Sequence, residues 1–351
     1  MVTKEQVIER LKTVKYPGYA RDIVSFGVIK DVAVENSKVS VKLNLTSKDP
    51  KVRETIVTQV REQLESMPGV SEVQLEQVSQ EQRQAAPGHA PGIKTTAKLL
   101  AEVKYKIAVA SGKGGVGKST VAVNLALALA RRGAKVGLFD ADIYGPNVPL
   151  MMGANEKPKA QGNRILPVER YGLKLMSIGF FLDENNPVIW RGPLVGKAIE
   201  QLLRDVVWEG VDYFIFDMPP GTGDAQLSLS SLVSLDGAVI VTTPQKVALA
   251  DAIKGVLMFR KVDVPTLGIV ENMSYFICPH CGGETDIFGR GGGARTSEEL
   301  NVPFLGEIPL DPSVRELSDK GTPPVIADPD SPQAKAFLAI ADRLLEKMPL
   351  P

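Results

Sequence analysis

Cysteine is almost absent: the 351 residues hold two, and they stand together in Cys278-Pro279-His280-Cys281. That excludes a disulfide framework, and a CxxC pair in a reducing compartment points to redox or metal chemistry. Two thiolates are also only half of a four-thiolate shell. A metal or iron–sulfur centre held by this pair therefore needs two more sulfurs from a second copy of the chain. Net charge is missing too, with Lys+Arg and Asp+Glu at 41 each, so no overall field favours nucleic acid or an anionic membrane. No run reaches the roughly 18 uncharged apolar residues of a spanning helix. The start Met1-Val2-Thr3-Lys4-Glu5-Gln6 has no apolar signal core. The expectation is a cytoplasmic chain with no nucleic-acid and no membrane partner.

The hydrophobic pattern divides the chain. Residues 3–14 read as a short helix, 28–34 and 38–45 as alternating strands turning at Asn36-Ser37, and 70–78 as a third strand. Between them Asp49 is placed to cap a helix with Pro50 at its first position, and Val52, Ile56, Val60 and Leu64 recur every fourth residue. This predicts a small α+β domain, α-β-β-α-β, over residues 1–78. Residues 79–98 lose apolar side chains and gain Gln, Ala, Pro and Gly, the composition of a flexible linker. Over residues 99–351, apolar runs at 107–110, 136–139, 173–178, 213–216, 238–241 and 267–270 alternate with helical stretches. Strands apolar on both faces predict an α/β fold, a mostly parallel sheet covered by helices on both faces. Ligands of such sheets bind at the carboxyl ends of the strands.

A phosphate-binding loop occupies the first such end. Gly112-Lys113-Gly114-Gly115-Val116-Gly117-Lys118-Ser119 follows a strand and opens a helix that continues through Thr120, the context that the GxxxxGK[ST] motif requires. Its glycines let backbone N–H groups turn toward phosphate oxygens, Lys118 reaches the β- and γ-phosphates, and the Ser119 hydroxyl is placed for Mg²⁺. A dinucleotide fingerprint fits less well, because Lys118 stands at the helix start.

With Lys113 the segment resembles the deviant Walker A signature of the family that includes the nitrogenase iron protein and the MinD, ParA and arsenical-pump ATPases. In that family the extra lysine reaches across a nucleotide-sandwich dimer. The resemblance implies that Asp142, in Asp140-Ala141-Asp142, orients or deprotonates the attacking water while Asp140 supports Mg²⁺ through water. It also makes Asp217 a Walker B carboxylate and Pro219-Pro220-Gly221-Thr222-Gly223-Asp224 a second switch.

From about residue 104 to 345 the chain resembles, more narrowly, the Mrp/Nbp35/ApbC iron–sulfur cluster carriers. The match rests on the phosphate loop, residues 140–146, Trp190-Arg191-Gly192-Pro193, residues 217–224, Glu271-Asn272-Met273-Ser274, Cys278–Cys281 and residues 305–311. It implies a P-loop NTPase that binds and slowly hydrolyses ATP, with Lys113, Lys118 and Asp142 catalytic and Asn272 on the adenine beside residues 309–311. Ser119, Asp140 and Asp217 would serve Mg²⁺. Cys278 and Cys281 of two copies would hold a [4Fe-4S] cluster in a homodimer, exchanged with scaffold proteins and apo iron–sulfur proteins. Asn147 stands where many relatives have Ser, which removes a hydroxyl from the first switch. Residues 3–78 resemble the MIP18-like (DUF59) domain, on element order and on Tyr16-Pro17-Gly18 with Asp22-Ile23-Val24.

Other readings of the same residues stay open. The CxxC could be a thioredoxin-like dithiol, or a zinc ligand pair, shared by two copies or completed by His280 within one. A MinD-like spatial switch would use the amphipathic pattern of residues 334–348 on a membrane.

Overall fold

The computed structural model describes residues 2–15, 17, 22–24, 28–35, 37–43, 50–77, 99–182 and 192–351. They form two compact units, one within the first 94 residues and one beyond. In the first, α1 (Lys4–Leu11) opens with a reciprocal cap in which the Thr3 hydroxyl accepts from the Gln6 N–H and the Gln6 side chain accepts from the Thr3 N–H. Strand β1 (Ile29–Glu35) pairs antiparallel with β2 (Lys38–Leu43). The chain then crosses through α2 (Pro50–Glu65), and β3 (Glu72–Gln77) joins β2 in parallel. Val52 is half-buried, whereas Ile56, Val60 and Leu64 sink into a core with Val7, Leu11, Val39, Val41 and Leu43. The cap expected at Asp49, the turn residue Asn36 and the expected linker 79–98 lie outside the described residues.

The second unit follows the alternation of its sequence. It begins β4 (Tyr105–Ala110), α3 (Lys118–Arg131), β5 (Val136–Asp140) and α4 (Val148–Met151). Short strands β6 (Ala160–Gln161), β7 (Arg164–Ile165) and β8 (Val168–Arg170) lead to β9 (Leu173–Ser177) and then α5 (Gly192–Asp205). The chain continues through β10 (Tyr213–Asp217), α6 (Asp224–Leu232), β11 (Gly237–Thr242), α7 (Lys246–Lys261) and β12 (Thr266–Ile277). It ends with β13 (Glu284–Thr285), α8 (Gly292–Leu300), β14 (Phe304–Leu310), α9 (Pro312–Asp319), α10 (Pro324–Ala327) and α11 (Pro332–Lys347). The main sheet runs β13-β12-β11-β4-β10-β5-β9-β8, with β14 also on β12. Strands β12, β11, β4, β10, β5 and β9 are parallel, β14 joins them in parallel, and the edge strands β13 and β8 are antiparallel. Every residue of β5, β10 and β11 is buried, which requires cover on both faces and explains their unbroken apolar runs.

One strand runs further than its apolar pattern. The strand read at 267–270 extends to Ile277, because β14 pairs with it from Ile269 to Phe276 and β13 at Phe276 and Ile277, after β11 has left it at Glu271. Its apolar run is interrupted by the polar residues Glu271, Asn272 and Ser274, which are buried and hydrogen-bonded, Glu271 to Ser274, Gly291 and Gly293, and Asn272 to Val116. Helix α11 turns Phe337, Ile340, Ala341 and Leu344 into the core against α3 and β14, which leaves no apolar face for a membrane.

Candidate nucleotide site and cysteine hairpin

The phosphate loop leaves β4 at Ala110 and enters α3 at Lys118. Gly117 holds φ at +82°, and a Cβ on it would stand 2.1 Å from Asn272 Nδ2. Gly112 is pressed on the other side, where a Cβ would stand 2.1 Å from the Asp251 carbonyl oxygen. Only glycine fits either position. Val116 is buried, and its carbonyl accepts from Asn272 Nδ2 at 2.9 Å. Lys113, Gly114, Gly115, Gly117, Lys118, Ser119 and Thr120 line a cavity of about 480 Å³, shared with Asp142, Asn147, Pro220, Asn272, Pro309 and Asp311. Strand-end loops far apart in the chain thus meet over one phosphate loop, at the carboxyl edge of the sheet.

The floor of this cavity is acidic. Lys118 Nζ lies 2.5 Å from Asp217 Oδ1, 3.2 Å from Ser119 Oγ and 4.0 Å from Asp142 Oδ2. Asp217 is fully buried, and its Oδ2 has no partner. Burial raises its pKa against the pull of Lys118. Of the three aspartates only Asp142 lines the cavity; Asp217 and Asp140 lie buried behind it. The Asp140 carboxylate accepts from the Asp142 N–H at 3.1 Å, the Val148 N–H at 3.2 Å and the Ser177 hydroxyl at 3.0 Å. Burial first, then the neighbouring charge of Asp217, push it up to about 8. Burial also raises Asp142, which accepts from the Gly145 and Tyr144 N–H groups. The Lys118 ammonium lies between two of these carboxylates, Asp217 and Asp142. The partnerless Asp217 oxygen and the nearby Ser119 hydroxyl are hard donors that suit a divalent cation such as Mg²⁺. Lys113 lines the cavity and forms no ion pair among the described residues.

The loop after β10 closes another wall. The Gly221 N–H donates to the Ser111 carbonyl at 2.9 Å, and Gln226 Nε2 donates to the Pro219 carbonyl at 2.8 Å and to that of Gly221. Sequence reasoning missed Gln226; its one signal was an amide on the buried side of a helix. The side chain of Asp224, and Trp190-Arg191, lie outside the described residues.

Cys278 follows directly on β12, at the start of a hairpin. Phe276 and Ile277 pair with Thr285 and Glu284. The Cys278 N–H donates to the Gly283 carbonyl at 2.9 Å, and the Gly282 N–H returns to the Cys278 carbonyl at 2.9 Å. N–H groups of His280 and Cys281 point at the Cys278 sulfur and lower its pKa. Cys278 is half-buried and Cys281 exposed. Among the described residues no three His, Cys, Asp or Glu gather as a metal site. Asn272, bonded to the phosphate loop, and Cys278 are six residues apart on one strand path, at most about 20 Å.

A family profile described as "NUBPL iron-transfer P-loop NTPase" matches residues 102–345, and one described as "Iron-sulfur cluster assembly protein" matches residues 4–75. The chain belongs to the iron-transfer P-loop NTPases. Within that family it is 46% identical to the iron-sulfur cluster carrier protein of Synechocystis sp., over 99% of this chain and 98% of that one. It is 52% identical to the iron-sulfur cluster carrier protein of Escherichia coli K12, over 70% and 67% respectively. The solved nucleotide-binding protein of Archaeoglobus fulgidus, in complex with ADP, aligns at TM-score 0.57 and 41% identity, over 64% of this chain and 88% of that one. The cell division ATPase MinD of Pyrococcus furiosus aligns at TM-score 0.54 with 26% identity, over 70% of this chain and 100% of that one. Its likeness is one of fold. Among the described residues no helix is long and apolar enough to cross a membrane.

Proposed function

We propose that this family member binds and hydrolyses ATP with Mg²⁺ and carries a labile [4Fe-4S] cluster between two copies of itself. It would accept the cluster from scaffold proteins and deliver it to apo iron–sulfur proteins. One observation carries the reading: the chain's two cysteines sit on a hairpin that continues the strand touching the phosphate loop. One copy supplies two sulfurs, so a four-thiolate shell requires the symmetry mate.

In the nucleotide half, Lys118 exchanges Asp217 for the β- and γ-phosphates, while N–H groups of the glycine loop and the start of α3 cradle them. Asp217 and Ser119 then face the cation. Bound Mg²⁺ supplies charge neutralisation across the phosphate oxygens. Asp142 stands 4.0 Å from Lys118 with its pKa raised by burial, and that makes it a stronger base for orienting or deprotonating water. Asp140 acts through backbone, holding the N–H groups of Asp142 and Val148. Lys113 is the free cation for the partner's phosphates, and Asn272 with the backbone at 309–311 takes the base.

Anaerobic reconstitution with iron and sulfide, read by Mössbauer spectroscopy, tests the reading. The expected signal is one [4Fe-4S] cluster per dimer, lost in Cys278→Ala and in Cys281→Ala. A cluster that survives either substitution, or zinc alone in oxygen-free protein, sinks it.

A further inference from the structure

The hairpin bearing the two cysteines is weakly attached by its own backbone. Strand β13 has two residues and two ladder pairs with β12, and so short a ribbon is marginal in water. Residues 279–290 are exposed throughout. Among the described residues, the polar side-chain contacts from this stretch to the sheet are those of Arg290. Its Nη1 donates to Glu284 Oε2 on β13 at 2.6 Å, and its Nε to Glu307 Oε2 on β14 at 2.9 Å. The guanidinium also lies 4.0 Å over the ring centroid of Tyr275 on β12. One planar group thus joins three strands by two hydrogen bonds and a stacked face, a combination that lysine does not reproduce.

Arg290 is itself fixed from behind. The next residue, Gly291, donates its N–H to Glu271 Oε1 at 2.8 Å, and Gly293 donates to the other oxygen of that carboxylate. Glu271 is fully buried on β12, adjacent to Asn272. The clasp therefore grips an exposed hairpin from an anchored backbone.

We propose that Arg290 is the positioning residue of the cysteine hairpin. Its guanidinium sets the pitch at which Cys278 and Cys281 are presented, and so how long the cluster is kept before transfer. This rests on the reading that these thiols hold the cluster.

The first test needs no cluster. In the full-length apo chain, hydrogen exchange at the Cys278 and Gly282 amides is expected to run about tenfold faster in Arg290→Gln, equivalent to about 1.4 kcal/mol of local opening. Amides of β4 and β10 should keep wild-type rates. Arg290→Lys is expected to restore only part of the protection, and full restoration would overturn the role of the fork and stack. Glu284→Gln combined with Arg290→Gln should add little to Arg290→Gln alone, since one contact is removed twice. Should Arg290→Gln fail to fold, Glu284→Gln carries the same test. In the reconstituted chain, Arg290→Gln should release iron to a chelator about tenfold faster, a change of about 1.4 kcal/mol. Unchanged exchange at the hairpin amides overturns the proposal whatever the thiols bind. A cluster that persists without Cys278 and Cys281 overturns the functional reading and leaves the exchange result standing.

Discussion

At Cys278 two backbone N–H groups, from His280 and Cys281, point at one sulfur and favour its thiolate. Alkylation of Cys278 by iodoacetamide, followed site by site with mass spectrometry, should therefore rise at a pH below the ordinary thiol range of about 8.5. A midpoint at or above that value would contradict the geometry. Asp140 is a second residue whose environment decides its charge. Its folded pKa of about 8 lies above the ordinary carboxylate value, so the folded state holds a proton that the unfolded chain releases. Stability from this group is fully present at low pH and is lost as pH rises toward 8. In nucleotide-free, Mg²⁺-free protein, wild type should lose stability relative to Asp140→Asn as pH rises from about 4 to about 8, measured by denaturant titration. A difference independent of pH would mean that Asp140 is ionised throughout. Residues like these were legible as types and positions. The protonation of Asp140 was not, because it depends on burial and on Asp217 and Ser177, which lie elsewhere in the chain.

Elements were legible where one physical pattern governed them. The fully buried strands showed as apolar runs, and the phosphate loop as a motif between strand and helix. Strand β12 was half seen, because its second part carries buried, hydrogen-bonded polar residues, Glu271, Asn272 and Ser274, that break the apolar run. Strand β14 does not read as a strand in the sequence, although residues 305–311, which overlap it, carry part of the family motif; Gly306, with φ +146°, and Pro309 interrupt a strand-like pattern. Helix α11 had an ambiguous amphipathic pattern that packing resolves in favour of the core. Phe337→Ala should therefore cost about 3–5 kcal/mol in chemical denaturation. Wild type should stay in the soluble fraction in flotation with ATP and anionic liposomes. A neutral Phe337→Ala, or ATP-dependent flotation, would return the helix to a membrane role.

For the whole molecule, the shortage of sulfur makes assembly part of the chemistry. When wild type is mixed with the Cys278→Ala, Cys281→Ala double variant and allowed to exchange subunits, only wild-type pairs can close the shell. In an equimolar mixture cluster content should fall to about one quarter of the value for the same amount of undiluted wild type, whereas independent protomers would keep about one half. The amino-acid order alone determined the phosphate loop, the two-thiol limit, the alternating architecture and the family resemblance, because each is written in contiguous residues or in counts. Tertiary structure alone decided two long-range contacts: Asn272 on the Val116 carbonyl and Arg290 on Glu307. Each joins side chains to partners that only the crossing of strands and loops brings within hydrogen-bond range, and local sequence carries no signal of such a meeting.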